Sequence, residues 1–257
     1  MKITILGCGG SGGVPLIGNN WGLCDPLNPK NRRTRPSIFI QTDNANILVD
    51  TSPDMRQQFL DANVQKIDAV LFTHAHADHL HGIDDLRGIN RIMQKVIPIY
   101  ANRPTLDEIE KSFGYVLKLL PEGQGYFRPQ LLAHEIAPYI GFNAAGVDIM
   151  PFDQDHGYMR SLGFRIGDFA YSTDVVHMPK ESFTALEGIK TWIVDCFIDE
   201  PHQTHAHVAK TLEWIERVKP DRAILTHLSA RLDYDKLLKK CPPGVEPAWD
   251  GMEIIAS

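Results

Sequence analysis

The stretch Thr73-His74-Ala75-His76-Ala77-Asp78-His79 closes the apolar run Ala69–Thr73, and no other feature restricts the fold as much. A short, continuous apolar run suits a strand buried on both faces. Side chains alternate along a strand, so His74 and His76 point to one side together. Asp78 and His79 fall where the chain turns into its next element, and they can face a neighbouring point. Imidazole and carboxylate are ligand types that Zn²⁺ accepts, with Zn–N near ~2.0–2.1 Å. A solvated, histidine-rich turn is the competing reading. Three histidines and one aspartate packed within six residues at a strand exit argue against it.

One segment cannot complete two coordination spheres, so further ligands are expected at other strand ends. His156 comes just after the predicted strand Val147–Phe152, Asp174 follows Phe169–Thr173, and His227 follows Ala223–Thr226. Active sites of α/β sheets collect at such ends. Taken singly, each residue reads equally well as a cap or a core group. Taken with the first cluster, they become candidate ligands.

Apolar runs and turn residues predict further strands at Lys2–Leu6, Ser37–Gln41, Ile47–Asp50, Val96–Tyr100, Leu131–Glu135, Gly163–Ile166, Thr191–Asp195 and Met252–Ile255. Helices are predicted over Asp54–Ala62, Asp84–Gln94, Leu106–Leu119, Pro179–Leu186, Val208–Val218 and Leu232–Cys241, with long loops at Leu16–Arg35 and Pro121–Pro129. The pattern is α/β, and with no repeat or linker the simplest account is one domain over residues 1–257. Gly7, Gly9 and Gly12 spell the dinucleotide-binding fingerprint after a strand. That motif must open a helix whose N-terminus holds the pyrophosphate. Pro15, Gly18, Asn19, Asn20 and Gly22 follow instead, so a tight turn passing close to a site is expected.

A net charge of −6 argues against broad binding of long nucleic acid, which needs a basic face. It does not exclude a small phosphate substrate, because metal ions can reverse the sign locally. Cys8, Cys24, Cys196 and Cys241 show no CxxC spacing and read as free thiols in a reducing cytoplasm. The N-terminal run is too short and too glycine-broken for a signal peptide, and no apolar stretch reaches membrane-spanning length. Cytoplasmic location without a membrane partner is the expectation. Lys30, Arg32, Arg33 and Arg35 form a basic cluster, read first as a solvated loop face. The functional reading is that one Arg reaches a nucleotide phosphate or base.

The H-x-H-x-D-H segment with a later histidine, aspartate and last histidine resembles the metallo-β-lactamase superfamily. Leu80-His81-Gly82-Ile83-Asp84-Asp85-Leu86-Arg87 and Thr226-His227-Leu228-Ser229 are similar to the branch holding the cyclic phosphodiesterase of the carbon–phosphorus lyase pathway and relatives of the tRNA 3′-processing nucleases. The resemblance spans nearly the whole chain. It implies an αββα sandwich, with two mixed sheets flanked by helices and two divalent metals at one edge. His74, His76 and His156 would hold the first metal. Asp78, His79 and His227 would hold the second, with Asp174 bridging. Asp50 would support the site without ligating, as carboxylates behind metal-bound histidines do. Zn is favoured over Mn, although both suit these donors. Some relatives carry an extra structural zinc near the N-terminal loop. Only Cys8 and Cys24 stand there and Ala230 replaces a histidine, so none is expected.

By the same resemblance, the thiol-free ligand set matches phosphodiesterase, thioester-hydrolase and lactonase branches. Two divalent ions less Asp78, Asp174 and a bridging hydroxide leave one positive charge, which a phosphodiester would neutralise. A leaving alkoxide needs a proton. Related phosphodiesterases carry a Thr-His or Ser-His pair before the helix at Val208, which makes His205 the expected general acid or oxyanion contact, with Asp78 as a second catalytic candidate. His202 and His207 are expected to be solvated. The expected partner is a small phosphodiester, cyclic or nucleotide, hydrolysed by a binuclear enzyme. A homodimer is left open. A thioester or lactone hydrolase and a non-catalytic nucleotide-binding module remain as alternatives.

Overall fold

The structure, a computed structural model, describes residues 1–121 and 125–256. The first half forms strands β1 (Lys2–Gly7), β2 (Ser37–Gln41), β3 (Asn46–Val49), β4 (Ala69–Leu71), β5 (Ile97–Ala101) and β6 (Leu131–Glu135). The second half supplies β7 (Phe142–Ala144), β8 (Val147–Asp155), β9 (Arg160–Ile166), β10 (Phe169–Ser172), β11 (Thr191–Asp195), β12 (Arg222–Thr226), β13 (Val245–Pro247) and β14 (Glu253–Ile255). They build two seven-stranded sheets, ordered β14-β1-β2-β3-β4-β5-β6 and β13-β12-β11-β10-β9-β8-β7. Both are mixed: β3 through β6 run parallel in one and β10 through β13 in the other.

Strand alternation sorts the apolar side chains into layers. Ala69 and Leu71 face inward and pack with Phe164, Phe169, Tyr171 and Ile193 between the sheets. Val70 and Phe72 face outward, against α1 (Met55–Asp61), α3 (Leu86–Met93) and α4 (Arg103–Phe113). On the far side, Trp192, Val194 and Leu225 pack against α5 (Lys180–Ala185), α6 (Val208–Val218) and α7 (Tyr234–Leu238). The order is therefore helix, sheet, sheet, helix, as expected. The short α2 (Ala77–Leu80) sits at the sheet edge rather than on a face.

Several boundaries differ from those predicted. The helix expected from Leu106 begins at Arg103, because Asn102 caps it by accepting from Thr105 N at 3.1 Å. β8 and β9 are longer than their apolar cores, since a hairpin continues their ladder from Phe152–Gly163 to Asp155–Arg160. β7 and β13 were not predicted; each is a three-residue edge strand. Part of the loop expected at Pro121–Pro129 lies outside the described residues. No helix among the described residues is long and apolar enough to cross a membrane.

Candidate metal centre

Parallel strands of both sheets end at one edge, and the candidate residues leave from those ends. Asp50 follows β3, His74 lies just beyond β4, Asp174 is two residues past β10, and His227 follows β12. Three of them adopt left-handed backbone, with φ of 63° at Asp50, 55° at Asp174 and 60° at His227. Non-glycine residues rarely do so, and such outliers gather at functional sites. The conformation turns each chain sharply off its strand.

All seven expected ligands come together. Asp174 Oδ1 lies 3.8 Å from His74 Nε2 and 3.4 Å from His156 Nε2. Its other oxygen, Oδ2, lies 3.0 Å from His79 Nε2 and 3.4 Å from His227 Nε2. His76 Nδ1 is 3.3 Å from His156 Nε2, and Asp78 Oδ2 is 3.4 and 3.5 Å from His79 and His227 Nε2. Donor atoms of His74, His76, His156 and Asp174 fall within 4.8 Å of one another, as do those of Asp78, His79 and His227.

Three of the imidazoles, His79, His156 and His74, are aimed by what holds their other nitrogen. His79 Nδ1 lies 2.7 Å from Asp50 Oδ2, and Asp50 also accepts from Thr73 N and Thr73 Oγ1, both at 2.8 Å. His156 Nδ1 donates to Thr204 O at 2.7 Å, and His74 Nδ1 is 3.0 Å from Thr73 Oγ1. The inward nitrogens are left over: His74, His79 and His227 Nε2 are buried without a hydrogen-bond partner. Buried polar nitrogens are rarely orphaned unless something binds them. The donor set therefore fits divalent metal ions.

The site's electrostatics point the same way. Burial pushes the His74, His76 and His156 imidazoles down, which keeps their lone pairs available. Burial alone would raise Asp174 and Asp78, but His227 and His79 outweigh it at Asp174, and His79 with His227 at Asp78. Both carboxyls stay below the usual range. His79 is pushed up, because Asp174, Asp78 and Asp50 overcome its burial.

His205 is buried, as its expected role requires, while His202 is exposed and His207 partly so. His205 Nδ1 is 3.3 Å from Asp195 Oδ2. Its ring stacks on Phe197 and His227 at 4.6 and 4.7 Å between centroids. Burial lowers its pKa, yet Asp195 prevails and pushes it up to about 9. His205 also belongs to a third donor set with Asp174 and His227.

Asp195 is the site residue that the sequence reading missed. It is fully buried at the end of β11, accepts from Ala206 N at 3.1 Å and Val175 N at 3.2 Å, and sets Oδ1 3.8 Å from His227 Nδ1. An acid closing an apolar strand, as Asp50 does, was the available signal.

The reading of the basic cluster as a solvated face is corrected for most of its members. Arg33 is buried and donates to Ser229 O and Asn31 Oδ1. Arg35 pairs with Asp54 through two nitrogens, and Lys30 donates to Tyr234 OH. Only Arg32 is exposed, its guanidinium 5.1 Å from the Trp21 ring. Gly7 tolerates no side chain, since a Cβ would meet Arg35 O at 2.1 Å. The glycine run thus serves close backbone approach, with no helix behind it. Ser11, Tyr158, Met159 and Thr204 join the ligands around a cavity of about 160 Å³.

A family model described as a β-lactamase superfamily domain matches residues 45–228. Among solved structures, a diphosphatase from the PhnP family superposes with a TM-score of 0.90 at 32% identity, covering 98% of this chain and 96% of that one. The short form of human tRNase Z gives a TM-score of 0.73 at 16% identity, covering 99% of each chain, a likeness of fold alone. An octanoyltransferase of Porphyromonas gingivalis is 32% identical over 99% of this chain, which spans about half (51%) of that protein's length.

Proposed function

The chain belongs to the β-lactamase superfamily, and from that premise and the geometry of its site we propose that it is a binuclear metal-dependent phosphodiesterase for small substrates. The observation that carries the reading is Asp174, whose two oxygens face two separate histidine groups, Oδ1 toward His74 and His156 and Oδ2 toward His79 and His227. His74, His76 and His156 would hold one ion, Asp78, His79 and His227 the other, and Asp174 both. Bound there, the ions, zinc above manganese, would supply Lewis-acid charge and an activated water. Two nearby cations suit a phosphodiester, whose non-bridging oxygens gain charge in the transition state.

The chain's own groups complete the chemistry. Asp195 takes up Nδ1 of His205, leaving Nε2 to carry the proton delivered to the leaving oxygen. The 160 Å³ cavity admits a phosphoryl group and little more, so the rest of the substrate lies outside it. Ser11 is shared with a groove that Arg32 also lines, and Arg32 is the cation of the basic loop left to meet an anionic substrate group. Small diesters fit this arrangement better than tRNA, and the PhnP-family diphosphatase, so named, is a phosphate enzyme.

The similarity to an octanoyltransferase gives an acyl substrate a specific motive as the second reading. Zinc-loaded and manganese-loaded protein, with metal content measured, should be assayed on bis(p-nitrophenyl) phosphate, an acyl thioester and an acyl-homoserine lactone. Turnover of the diester alone is expected, with two ions per chain. His205→Ala should retain the metals and lose about 10²–10⁴-fold in kcat. Hydrolysis of the thioester without the diester would replace this reading with the second.

A further inference from the structure

We propose that Tyr158 is a stacking platform for a planar ring of the substrate, so that the diester is one bearing a nucleobase. This rests on the proposed phosphodiesterase reading. Tyr158 lies in the turn between β8 and β9, two residues beyond the candidate ligand His156, and it lines the cavity beside the metal centre. Its side chain is 87% exposed. A large ring left in water at the mouth of a buried polar site gains nothing from the fold, and aromatic faces beside phosphate sites hold bases by stacking.

The ring is nevertheless fixed. Tyr158 OH donates to Gln203 Oε1 at 2.9 Å, tying the turn to the loop that carries Thr204 and His205. The same two segments meet at His156 Nδ1, which donates to Thr204 O, and at Gly157, where a Cβ would lie 2.9 Å from Gln203 O. Gly157 takes φ of 81°, a conformation that places the next residue sharply off the strand. The phenol is thus anchored at its oxygen, and its high exposure leaves its faces open to solvent. A tethered ring loses little entropy when a second ring stacks on it. Because the cavity of about 160 Å³ is little larger than a phosphoryl group, a substituent that leaves it on this side meets Tyr158.

The test is direct binding to zinc-loaded protein by calorimetry, with AMP and ribose 5-phosphate as probes. They share sugar and phosphate, so the ratio of their Kd values isolates the base. Wild type should bind AMP about tenfold or more tightly than ribose 5-phosphate, within the usual worth of one stacked base. Tyr158→Ala should bring the ratio of the two Kd values below about threefold, whatever its effect on ribose 5-phosphate alone. Tyr158→Phe, which keeps the ring and drops the tether, should retain most of the preference. Equal wild-type affinities, no binding of either probe, or an intact ratio in Tyr158→Ala would each overturn the proposal. Because binding is read without turnover, a failed diester assay with an intact AMP preference would sink the hydrolase reading alone.

Discussion

Replacing Asp195 by Asn tests whether this carboxylate holds the His205 proton. The amide keeps the shape and can still accept from Ala206 N and Val175 N through its oxygen. It removes the charge that lifts His205 against its burial to about 9. A histidine whose folded pKa is raised contributes stability that is fully present below its unfolded value of about 6.5, and loses it as pH rises through the folded value. In metal-free wild type the window therefore runs from about pH 6.5 to about 9. At about 1.4 kcal/mol per unit the contribution is of order 3 kcal/mol, an upper figure because neighbouring acids share the proton. Urea unfolding of both metal-free proteins at half-unit steps from about pH 6 to about pH 10 would measure it. Other titrating groups cancel in the difference between the two curves. Wild type should lose its advantage over Asp195→Asn across that window. Parallel curves would refute the coupling and remove the physical basis for His205 as a donor.

Two more substitutions test how the candidate site's side chains are supported. Asp50→Asn leaves His79 Nδ1 facing an amide in place of the carboxylate at 2.7 Å. Metal affinity should fall about 10–100-fold, read by competition with a chromophoric chelator, and unchanged affinity would mean that Asp50 serves only the fold. Gly10→Ala puts a Cβ 2.7 Å from Phe197 Cε2, and Phe197 stacks on His205. The ring must move, so diesterase activity should fall while both metals stay bound. Overpacking of this kind costs about 1–3 kcal/mol, visible in thermal unfolding.

The candidate ligands were legible because their signal is local. Each is a donor-type residue at or just past the end of an apolar run, and strand ends in both sheets share one edge. Partners across the fold were not legible. The charges of Lys30, Arg32, Arg33 and Arg35 stand in the sequence, but nothing there says that Arg33 reaches Ser229 while Arg32 stacks on Trp21. The same limit hid β7 and β13. Phe142–Ala144 and Val245–Pro247 have too few residues to show a period, and their pairing partners, not their own propensities, make them strands. Asp195 carried a local signal like that of Asp50. What separated the two is that the family resemblance pointed to Asp50 and not to Asp195, whose place beside His205 the structure shows.

The left-handed residues show why most of the site is built at strand ends, with only Asp78 and His79 on the short α2. Asp50, Asp174 and His227 each hold a backbone conformation that is unfavourable by of order 1–3 kcal/mol, and neighbouring structure must impose it. That structure is visible. Asp50 N donates to Leu71 O, Ser161 Oγ donates to Asp174 O, and Leu228 N donates to Cys8 O. Asp50 and Asp174 are thus clamped directly to another strand, and His227 is held through its neighbour Leu228. A helix would fix successive side chains at set angles and could not converge donors from so many distant segments. Strands ending together bring Asp174 between two histidine groups, while hydrogen bonds to Thr73 Oγ1 and Thr204 O hold His74 and His156 in orientation.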